Sequence, residues 1–184
     1  MRPQKISQAE MIQCCALVFK QYGYYATTME MLAKACGLTK AAFYYYYKNK
    51  ESLLLDVVKS IRQYATLKIF PLAYQDQKAG QNYQQLHLTA SQFFCQGICG
   101  CLMATLALDV KDQLPEVMVE IHQFFKDWQQ AMQHLYMGRY GAIDAYIYAK
   151  EAIADYEGAI VMTRITEDEF YLAQVQKRIL MRLA

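Results

Sequence analysis

The sequence contains few residues that interrupt secondary structure, with three prolines and eight glycines among 184 residues. An all-β sandwich or barrel needs turn residues at each of its many hairpins, so this scarcity argues against both architectures. No stretch approaches the roughly 18 consecutive apolar residues of a membrane span. The first residues, MRPQKISQAEM, also lack the apolar segment of a signal peptide. We therefore expect a soluble, cytoplasmic protein with no membrane partner, in which the six cysteines stay reduced.

The familiar catalytic motifs are missing as well. The sequence has no Gly-x-Ser-x-Gly, no His-Glu-x-x-His, no glycine-rich phosphate loop and no alternation of strands with helices. A cysteine could be paired on paper with one of the three histidines, but any chain with six cysteines allows such a pairing. We predict that the protein is not an enzyme and that it uses no cofactor.

Apolar residues make up 55% of the chain and charged residues 20%, which is enough apolar surface to form a core. The apolar residues recur at spacings of three and four nearly throughout, as in amphipathic helices, and they predict an all-α fold of about nine helices. We expect an N-terminal domain of three helices with a helix-turn-helix, residues 1–48. A larger helical domain would follow, residues 49–184.

Positive charge is concentrated at the front of the chain. Residues 1–50 hold seven Lys or Arg against two Glu, whereas the remainder holds twelve Lys or Arg against fifteen acidic residues. This distribution indicates that only the front contacts a polyanion.

Residues 28–50, TMEMLAKACGLTKAAFYYYYKNK, carry the most specific local pattern. The small Ala33 lets two helices approach closely, and Gly37, four residues later, accepts the positive φ of a sharp turn. Leu38 and Phe43 then fill the space beneath the helix crossing. This spacing predicts a helix-turn-helix whose second helix projects from the body.

Helical geometry divides the side chains of that second helix between two faces. Phe43 and Tyr47 share the face that we expect to be buried. The face that we expect to be exposed consists of Thr39, Lys40, Ala41, Tyr44, Tyr45 and Lys48. A small alanine among lysine and hydroxyl groups suits the major groove of double-stranded DNA, because it permits close approach while its neighbours reach bases and phosphates.

Other interpretations of this segment remain open. The tyrosines could cover a small helical core, since an alanine and a glycine four residues apart occur in many helical hairpins. They could also stack on single-stranded bases, although the helical setting argues against that. The main alternative function is that of a helical ligand-binding or scaffold protein without specific DNA contacts.

Residues 8–58 resemble the N-terminal domain of the TetR family of bacterial transcriptional regulators. The resemblance rests on a first helix that ends in Phe-x-x-x-Gly-Tyr, on Thr-Thr-Met, and on the glycine turn with its neighbours. The matching positions are Phe19, Gly23, Tyr24, Thr27, Thr28, Met29, Leu32, Ala33, Ala35, Gly37, Leu38, Thr39, Lys40, Tyr44, Lys50, Glu51 and Leu53. The resemblance implies a one-component repressor that binds a palindromic DNA operator as a homodimer and is released by a small apolar or electrophilic effector.

The resemblance also implies roles for individual residues. Thr28 and Lys50 would contact phosphates, Tyr44 would contact the DNA backbone, and Thr39 and Lys40 would lie at or near base edges. The full predicted DNA-binding set is Thr28, Thr39, Lys40, Ala41, Tyr44, Tyr45, Tyr46 and Lys50.

This chain departs from the family pattern within that set. Ala41 replaces the usual glycine, and its methyl group could meet a thymine methyl. Tyr46 replaces the usual histidine, which weakens the case for a phosphate contact there. Phe43 and Tyr47 replace leucine and phenylalanine, which exchanges bulk within the small core.

The last two predicted helices, about residues 143–164 and 167–183, carry apolar stripes at spacings of three and four. The resemblance implies that they form a four-helix bundle with the same helices of a second copy. The residues that we assign to this interface are Ile147, Ala154, Gly158, Val161, Val175 and Ile179. The alternative is that these stripes pack inside one chain.

The resemblance implies that residues 49–184 form a ligand-sensing and dimerisation domain, with the effector site in residues 60–140. Apolar side chains with a few polar ones are typical of small-molecule cavities. Our candidates are His87, Phe94, Met103, Thr105, Phe125, Trp128 and Met132. Aromatic and methionine residues at helical spacing are more often ordinary core, and that interpretation stays open.

Three cysteines, Cys95, Cys99 and Cys101, lie close together in the sequence. They lack a convincing fourth ligand, so we predict no metal site. As small buried side chains they would need no function. Cys101 is also a candidate redox switch, because it lies at the expected start of a helix, where backbone N–H groups favour a thiolate. The stretch from Gly100 to Leu102 resembles a branch of the same family in which some members sense electrophiles or oxidants through cysteine.

Overall fold

The computed structural model describes residues 6–94 and 100–184, apart from the side chain of Phe94. All regular elements among these residues are helical, which agrees with the all-α prediction. A π-helical turn, Ala65–Ile69, and a 3₁₀ helix, Phe70–Tyr74, connect the fourth and fifth helices. The α-helices are α1 (Gln8–Ala26), α2 (Met29–Ala35), α3 (Lys40–Tyr46), α4 (Lys50–Tyr64), α5 (Ala79–Phe94), α6 (Leu102–Val110), α7 (Pro115–Met137), α8 (Ala142–Thr166) and α9 (Phe170–Leu183).

The chain forms two compact units. The first unit consists of residues 1–61 and 102–121, and the second consists of residues 62–101 and 122–184, within the described ranges. The first unit therefore combines α1–α3 and most of α4 with α6 and the start of α7. The proposed division of function between residues 1–48 and 49–184 stays a prediction.

Side chains cap the N-termini of the first four helices. Ser7 and Glu10 form a reciprocal capping box on α1, with distances of 2.8 Å from Ser7 N to Glu10 Oε2 and 3.2 Å from Glu10 N to Ser7 Oγ. Thr28 and Thr39 each accept a backbone N–H at 3.2 Å, at the starts of α2 and α3. Asn49 Oδ1 accepts the N–H at the start of α4 at 2.8 Å. These bonds fix where each helix begins.

The core of the helix-turn-helix is built as the spacing predicts, except that Leu38 is only half-buried. Ala33 and Phe43 are buried, and Gly37 adopts a φ of +66° in the turn between α2 and α3. Tyr47, which is also buried, donates its hydroxyl to Asp56 Oδ2 at 3.0 Å and thereby ties the end of α3 to α4. The orientation of α3 thus depends on a small apolar core and on the hydrogen bond from Tyr47 to Asp56.

Helix α1 changes direction at Gly23, which has a φ of +72° and a ψ of −178°. The N–H of the next residue, Tyr24, donates to Asp109 Oδ2 on α6 at 2.6 Å. A β-carbon at Gly23 would lie 2.8 Å from the same carboxylate oxygen. The glycine therefore provides both the unusual backbone conformation and the space for Asp109.

The second unit packs α8 against α9 and encloses an aromatic core. Tyr83, Phe124 and Tyr136 are fully buried there. Two exposed ion pairs join α9 to α8, Arg178 with Asp155 at 3.0 Å and Arg182 with Glu151 at 2.7 Å; the four residues lie on the outer surface. Exposed pairs of this kind contribute little to stability.

Helix α4 ends at Tyr64, and the chain changes to π-helical geometry at Ala65, before Pro71. Helix α5 begins at Ala79. The last helix starts slightly later than the sequence predicts. Helix α9 begins after residue 167 because Glu167 adopts a left-handed conformation, with a φ of +57°, at the end of α8. The predicted break at Gly97 lies outside the described residues.

In the part of the chain that the structure describes, no helix is long and apolar enough to cross a membrane.

Substitution of Gly23 by alanine should destabilise the protein more than substitution of Gly37. Both glycines have a positive φ, but a β-carbon at Gly37 meets nothing within 4 Å. We expect a loss of about 1 kcal/mol for Gly37→Ala and about 2–3 kcal/mol for Gly23→Ala, measured by urea denaturation. Equal losses would show that Asp109 does not constrain the Gly23 turn.

Candidate nucleic-acid interface

Helix α3 exposes the face that the sequence assigns to DNA. Thr39, Lys40 and Ala41 are exposed, and so is Tyr44. Tyr45 is the most exposed tyrosine of the helix, at 89%, whereas Phe43 on the opposite face is 0% exposed. This contrast confirms the predicted division of the helix into a buried and an exposed face.

Thr28 and Tyr46 border this surface. Thr28 is exposed, and because its Oγ1 accepts the Met31 N–H, its own hydroxyl hydrogen remains available for an outside acceptor. Tyr46 is 47% exposed at the end of α3. Both side chains are therefore accessible from solvent.

Lys50 differs from Lys40, the other basic residue of the predicted set, because its ammonium group forms hydrogen bonds inside the protein. Its Nζ donates to the carbonyl oxygen of Tyr24 at 2.7 Å and to that of Thr27 at 2.9 Å. It also lies 4.0 Å from the centre of the Tyr24 ring. Desolvation lowers the pKa of this half-buried ammonium group. Two of its three N–H donors are used inside the protein, which leaves one for a phosphate.

Tyr24 connects this lysine to two carboxylates. Its hydroxyl donates to Glu51 Oε1 at 2.7 Å, and its N–H binds Asp109. The hydrogen bond from Tyr24 lowers the pKa of Glu51, so this carboxylate stays ionised beside Lys50. The cluster joins α1, α4 and α6 within the first unit.

Sequence reasoning missed the structural role of this cluster. Tyr24 and Asp109 are 85 positions apart, and no spacing rule relates them. The available signal was the Gly23-Tyr24 pair at the end of the first helix, which the family resemblance contains.

The second unit contains three hydrogen-bonded polar side chains, Tyr83, His87 and Tyr156, which lie among aromatic rings. We call these three residues the buried polar group. The Tyr156 hydroxyl forms hydrogen bonds of 2.5 Å with the Tyr83 hydroxyl and with His87 Nδ1, and it can donate in only one of them. Trp128 lies against Tyr156 with ring centres 5.6 Å apart. Burial lowers the pKa of His87, which favours the neutral imidazole. His87 and Trp128 were candidates from the sequence, whereas Tyr83 and Tyr156 were not.

The other effector candidates occupy different surroundings. Phe125 stacks on Trp128 with ring centres 6.2 Å apart, and Met132 is buried in the same unit. Met103 and Thr105 lie on α6 in the first unit, so the structure does not group them with His87. The side chain of Phe94 lies outside the described residues.

Cys101 is buried, with 3% of its surface exposed, and it hydrogen-bonds to the carboxyl group of Glu157. Burial raises the pKa of Glu157. Its Oε1 atom has no hydrogen-bonding partner among the described residues. Cys101 is therefore a packed thiol beside a carboxyl group that favours its protonated form. Cys95 and Cys99 lie outside the described residues.

The residues assigned to dimerisation divide into two groups. Ile147, Ala154, Gly158 and Val161 are exposed along α8. Val175 and Ile179 are instead only 1% and 2% exposed. These two side chains pack in the core of their own chain, as the alternative interpretation had it, and they are not available to a second copy.

Further exposed apolar residues extend the α8 stripe. Ile143 is 78% exposed and Ile165 is 70% exposed, and both fall in register with Ile147 and Val161. On α9, Phe170 and Met181 are also exposed. We call this set of six exposed apolar residues, Ile143, Ile147, Val161, Ile165, Phe170 and Met181, the apolar seam.

Two family models match the chain. Residues 16–57 match the model described as bacterial regulatory proteins, tetR family. Residues 84–178 match the C-terminal domain described as transcriptional regulator LmrA/YxaF-like. The chain belongs to the TetR family. Members of this family are transcriptional regulators rather than enzymes, which agrees with the expectation from the sequence.

Curated relatives share part of the chain. The HTH-type transcriptional regulator RutR of Escherichia coli O157:H7 is 30% identical over 132 residues, which cover 64% of this chain and 62% of RutR. The HTH-type transcriptional regulator LmrA of Bacillus subtilis is 24% identical over 125 residues, which cover 66% of each chain. The chain thus matches less than two thirds of the length of these relatives.

Solved structures of this family share the fold. A TetR transcriptional regulator from Legionella pneumophila superimposes with a TM-score of 0.84 at 18% identity, covering 96% of this chain and 97% of its own. The reduced form of E. coli NemR gives a TM-score of 0.74 at 15% identity, with 92% of both chains covered.

Substitution of Lys50 by methionine should destabilise the protein. The variant loses two charge-assisted hydrogen bonds to carbonyl groups, and we expect a loss of about 1.5–3 kcal/mol in the free energy of unfolding. Lys40→Ala is the control, since Lys40 is exposed and its loss should change stability by less than about 0.5 kcal/mol. A Lys50→Met protein as stable as the wild type would contradict the structural role of this ammonium group.

Proposed function

We propose that this TetR-family protein is a cytoplasmic repressor that binds a palindromic DNA operator as a homodimer and is released by a small effector. The observation that carries the proposal is the exposed face of α3. There Lys40, Ala41 and Tyr44 project to solvent from a helix held by the buried Phe43.

The chemistry of this face fits a major groove. Lys40 and Thr39 can donate hydrogen bonds to acceptors on base edges, and the short Ala41 lets the backbone of α3 approach the bases. The exposed hydroxyl groups of Tyr44 and Thr28 can donate hydrogen bonds to phosphate oxygens, and such contacts fix the register of a protein on a duplex. The remaining N–H of Lys50 would add one more phosphate contact.

The apolar seam supports the homodimer. Along α8 its residues are separated by 4, 14 and 4 positions, so they share one face of the helix. Exposed apolar side chains in such a line favour burial against a partner helix. In a twofold dimer the two α3 helices would read half-sites about 34 Å apart, one turn of the duplex.

The buried polar group in the second unit and the aromatic rings around it indicate the polarity of the effector. Tyr156 and the neutral His87 provide hydrogen-bonding atoms, while Trp128 and Phe125 provide aromatic surface. These groups suit a mostly apolar molecule with one or two polar atoms. Modification of Cys101 by an electrophile is a second route, and it would disturb the hydrogen bond to Glu157.

Release follows from linkage between effector and operator. The effector must bind more tightly to a state in which the spacing of the two α3 helices does not match the operator. A preference of about 2–3 kcal/mol would weaken operator binding by one to two orders of magnitude.

Selection of duplexes from a random-sequence pool tests the proposal without knowledge of the operator. Sequencing of the bound fraction should reveal an inverted repeat with half-sites about one helical turn apart. If no sequence is enriched, the result would favour the alternative of a helical ligand-binding protein. If a single half-site is enriched without its inverted repeat, the result would contradict binding as a dimer.

Lys40→Ala should weaken binding to the selected duplex and reduce the salt dependence. Loss of one cationic contact should lower the slope of log K against log salt concentration by about 1. Fluorescence anisotropy at several salt concentrations measures both effects. Lys126→Ala, which removes an exposed lysine of the second unit, is the matched control and should bind as the wild type does. An unchanged slope for Lys40→Ala would remove Lys40 from the interface.

Ile147→Glu and Val161→Glu should convert the dimer to monomers. Both side chains are about half exposed, so a glutamate is tolerated in the monomer but places like charges at the twofold interface. Sedimentation velocity measures the outcome. Leu108→Glu is the control, because Leu108 is 86% exposed in the first unit and outside the apolar seam. Dimers that persist in both α8 variants would refute this interface.

A further inference from the structure

Two cysteines in the first unit face each other across a helix contact. Cys15 on α1 and Cys36 at the end of α2 have their Sγ atoms 3.6 Å apart, and both thiols are free. Cys36 Sγ also lies 3.9 Å from the carbonyl oxygen of Met11. A chain of hydrogen bonds from Cys15 through Cys36 to Met11 therefore holds the two sulfur atoms toward each other.

Cys36 lies in the turn that connects α2 to α3. It is the C-cap of α2, and its N–H bonds to the last carbonyl groups of that helix. Gly37 with its positive φ follows directly, and Thr39 caps α3 two residues later. A displacement of Cys36 is therefore carried to the start of α3 through three residues.

The two thiols differ in their surroundings. Cys15 is 0% exposed, whereas Cys36 is 7% exposed at the turn. The hydrogen bond from the Cys15 S–H to Cys36 lowers the pKa of Cys36, and the same bond together with burial raises the pKa of Cys15. Cys36 is thus the more nucleophilic member, with Cys15 beside it as the resolving thiol.

We propose that Cys15 and Cys36 form an oxidisable dithiol site, which a hydroperoxide converts to a disulfide between α1 and the turn before α3, and that this disulfide weakens DNA binding. The second part rests on the proposed function, whereas formation of the disulfide does not.

The reaction proceeds in two balanced steps. The Cys36 thiolate attacks the terminal oxygen of the hydroperoxide, the O–O bond breaks, and the alkoxide leaves with a proton as an alcohol, so that Cys36 becomes a sulfenic acid. Cys15 Sγ then attacks the sulfenic sulfur, the S–O bond breaks, and the departing hydroxide takes the Cys15 proton to form water. The two thiols lose two electrons in total, and the hydroperoxide gains them.

Closure of the disulfide requires movement. The Sγ atoms must approach from 3.6 Å to about 2.05 Å, a shift of about 1.5 Å. Cys15 lies between Met11 and Phe19, which are both fully buried, so this part of α1 has no room to move. Cys36 lies at a chain turn and moves instead, and α3 moves with it. Hydrogen bonds to DNA tolerate only a few tenths of an ångström, so the contacts of α3 weaken.

This site is distinct from Cys101. Cys101 belongs to the second unit and pairs with Glu157, whereas the dithiol lies entirely in the first unit. Cys14 offers an internal comparison, because it is adjacent in sequence but only half-buried.

The full-length protein can be treated with cumene hydroperoxide, alkylated, digested without reductant and analysed by mass spectrometry. We expect a linked pair of peptides containing Cys15 and Cys36. With Cys14 alkylated, its mass should be 2 Da below the sum of the same two peptides with Cys15 and Cys36 as free thiols, because two hydrogen atoms are lost. Affinity for the selected duplex should fall at least fivefold and return with dithiothreitol. Cys36→Ser and Cys15→Ser should abolish both changes, and Cys14→Ser and Cys101→Ser should keep them.

The two parts of the proposal fail in different ways. Absence of the Cys15–Cys36 linkage in the wild type overturns the dithiol site, and this result does not depend on the folding of any variant or on DNA. A linkage that forms while DNA affinity stays constant overturns the effect on α3. A wild type that binds no duplex even when reduced contradicts the proposed function and leaves the linkage result to decide the dithiol site.

Discussion

The burial of Phe43 and Tyr47 beneath α3 is the constraint on which the rest of the first unit depends. A helix of seven residues has too few hydrogen bonds to be stable alone, so its position comes from packing. With these two rings inside, helical geometry leaves Lys40, Ala41 and Tyr44 no position but the outer face. The exposed surface that we propose for DNA contact is thus a consequence of where two aromatic rings are buried.

The cluster of Tyr24, Lys50, Glu51 and Asp109 is a second set of contacts that holds the first unit together. It joins the end of α1, the start of α4 and helix α6 by hydrogen bonds of 2.6–2.7 Å, with a cation over an aromatic ring. Asp109 comes from a part of the chain far from the helix-turn-helix in sequence, yet it belongs to the same compact unit. A change in α6 therefore has a direct physical path to the helices that carry α3.

Features that depend on neighbours in the sequence could be predicted, and features that depend on distant partners could not. The caps at Thr28 and Thr39 and the two faces of α3 follow from local spacing. The hydrogen bonds from Lys50 to two carbonyl groups could not be predicted from spacing, because a lysine at the start of a helix is usually a charged residue on the surface. The same limit explains Val175 and Ile179, since an apolar stripe does not reveal whether its own chain or a second copy covers it.

In this account the first unit combines DNA recognition with a dithiol at the turn, and the second combines a dimer seam with a buried polar group. The central claim is that the exposed face of α3 contacts DNA. Backbone hydrogen exchange followed by mass spectrometry, with and without the selected duplex, tests it most directly. The account predicts slower exchange in residues 28–31 and 39–46 on addition of DNA, with little change along the exposed face of α8. Slower exchange confined to the second unit, with α3 unaffected, would contradict it.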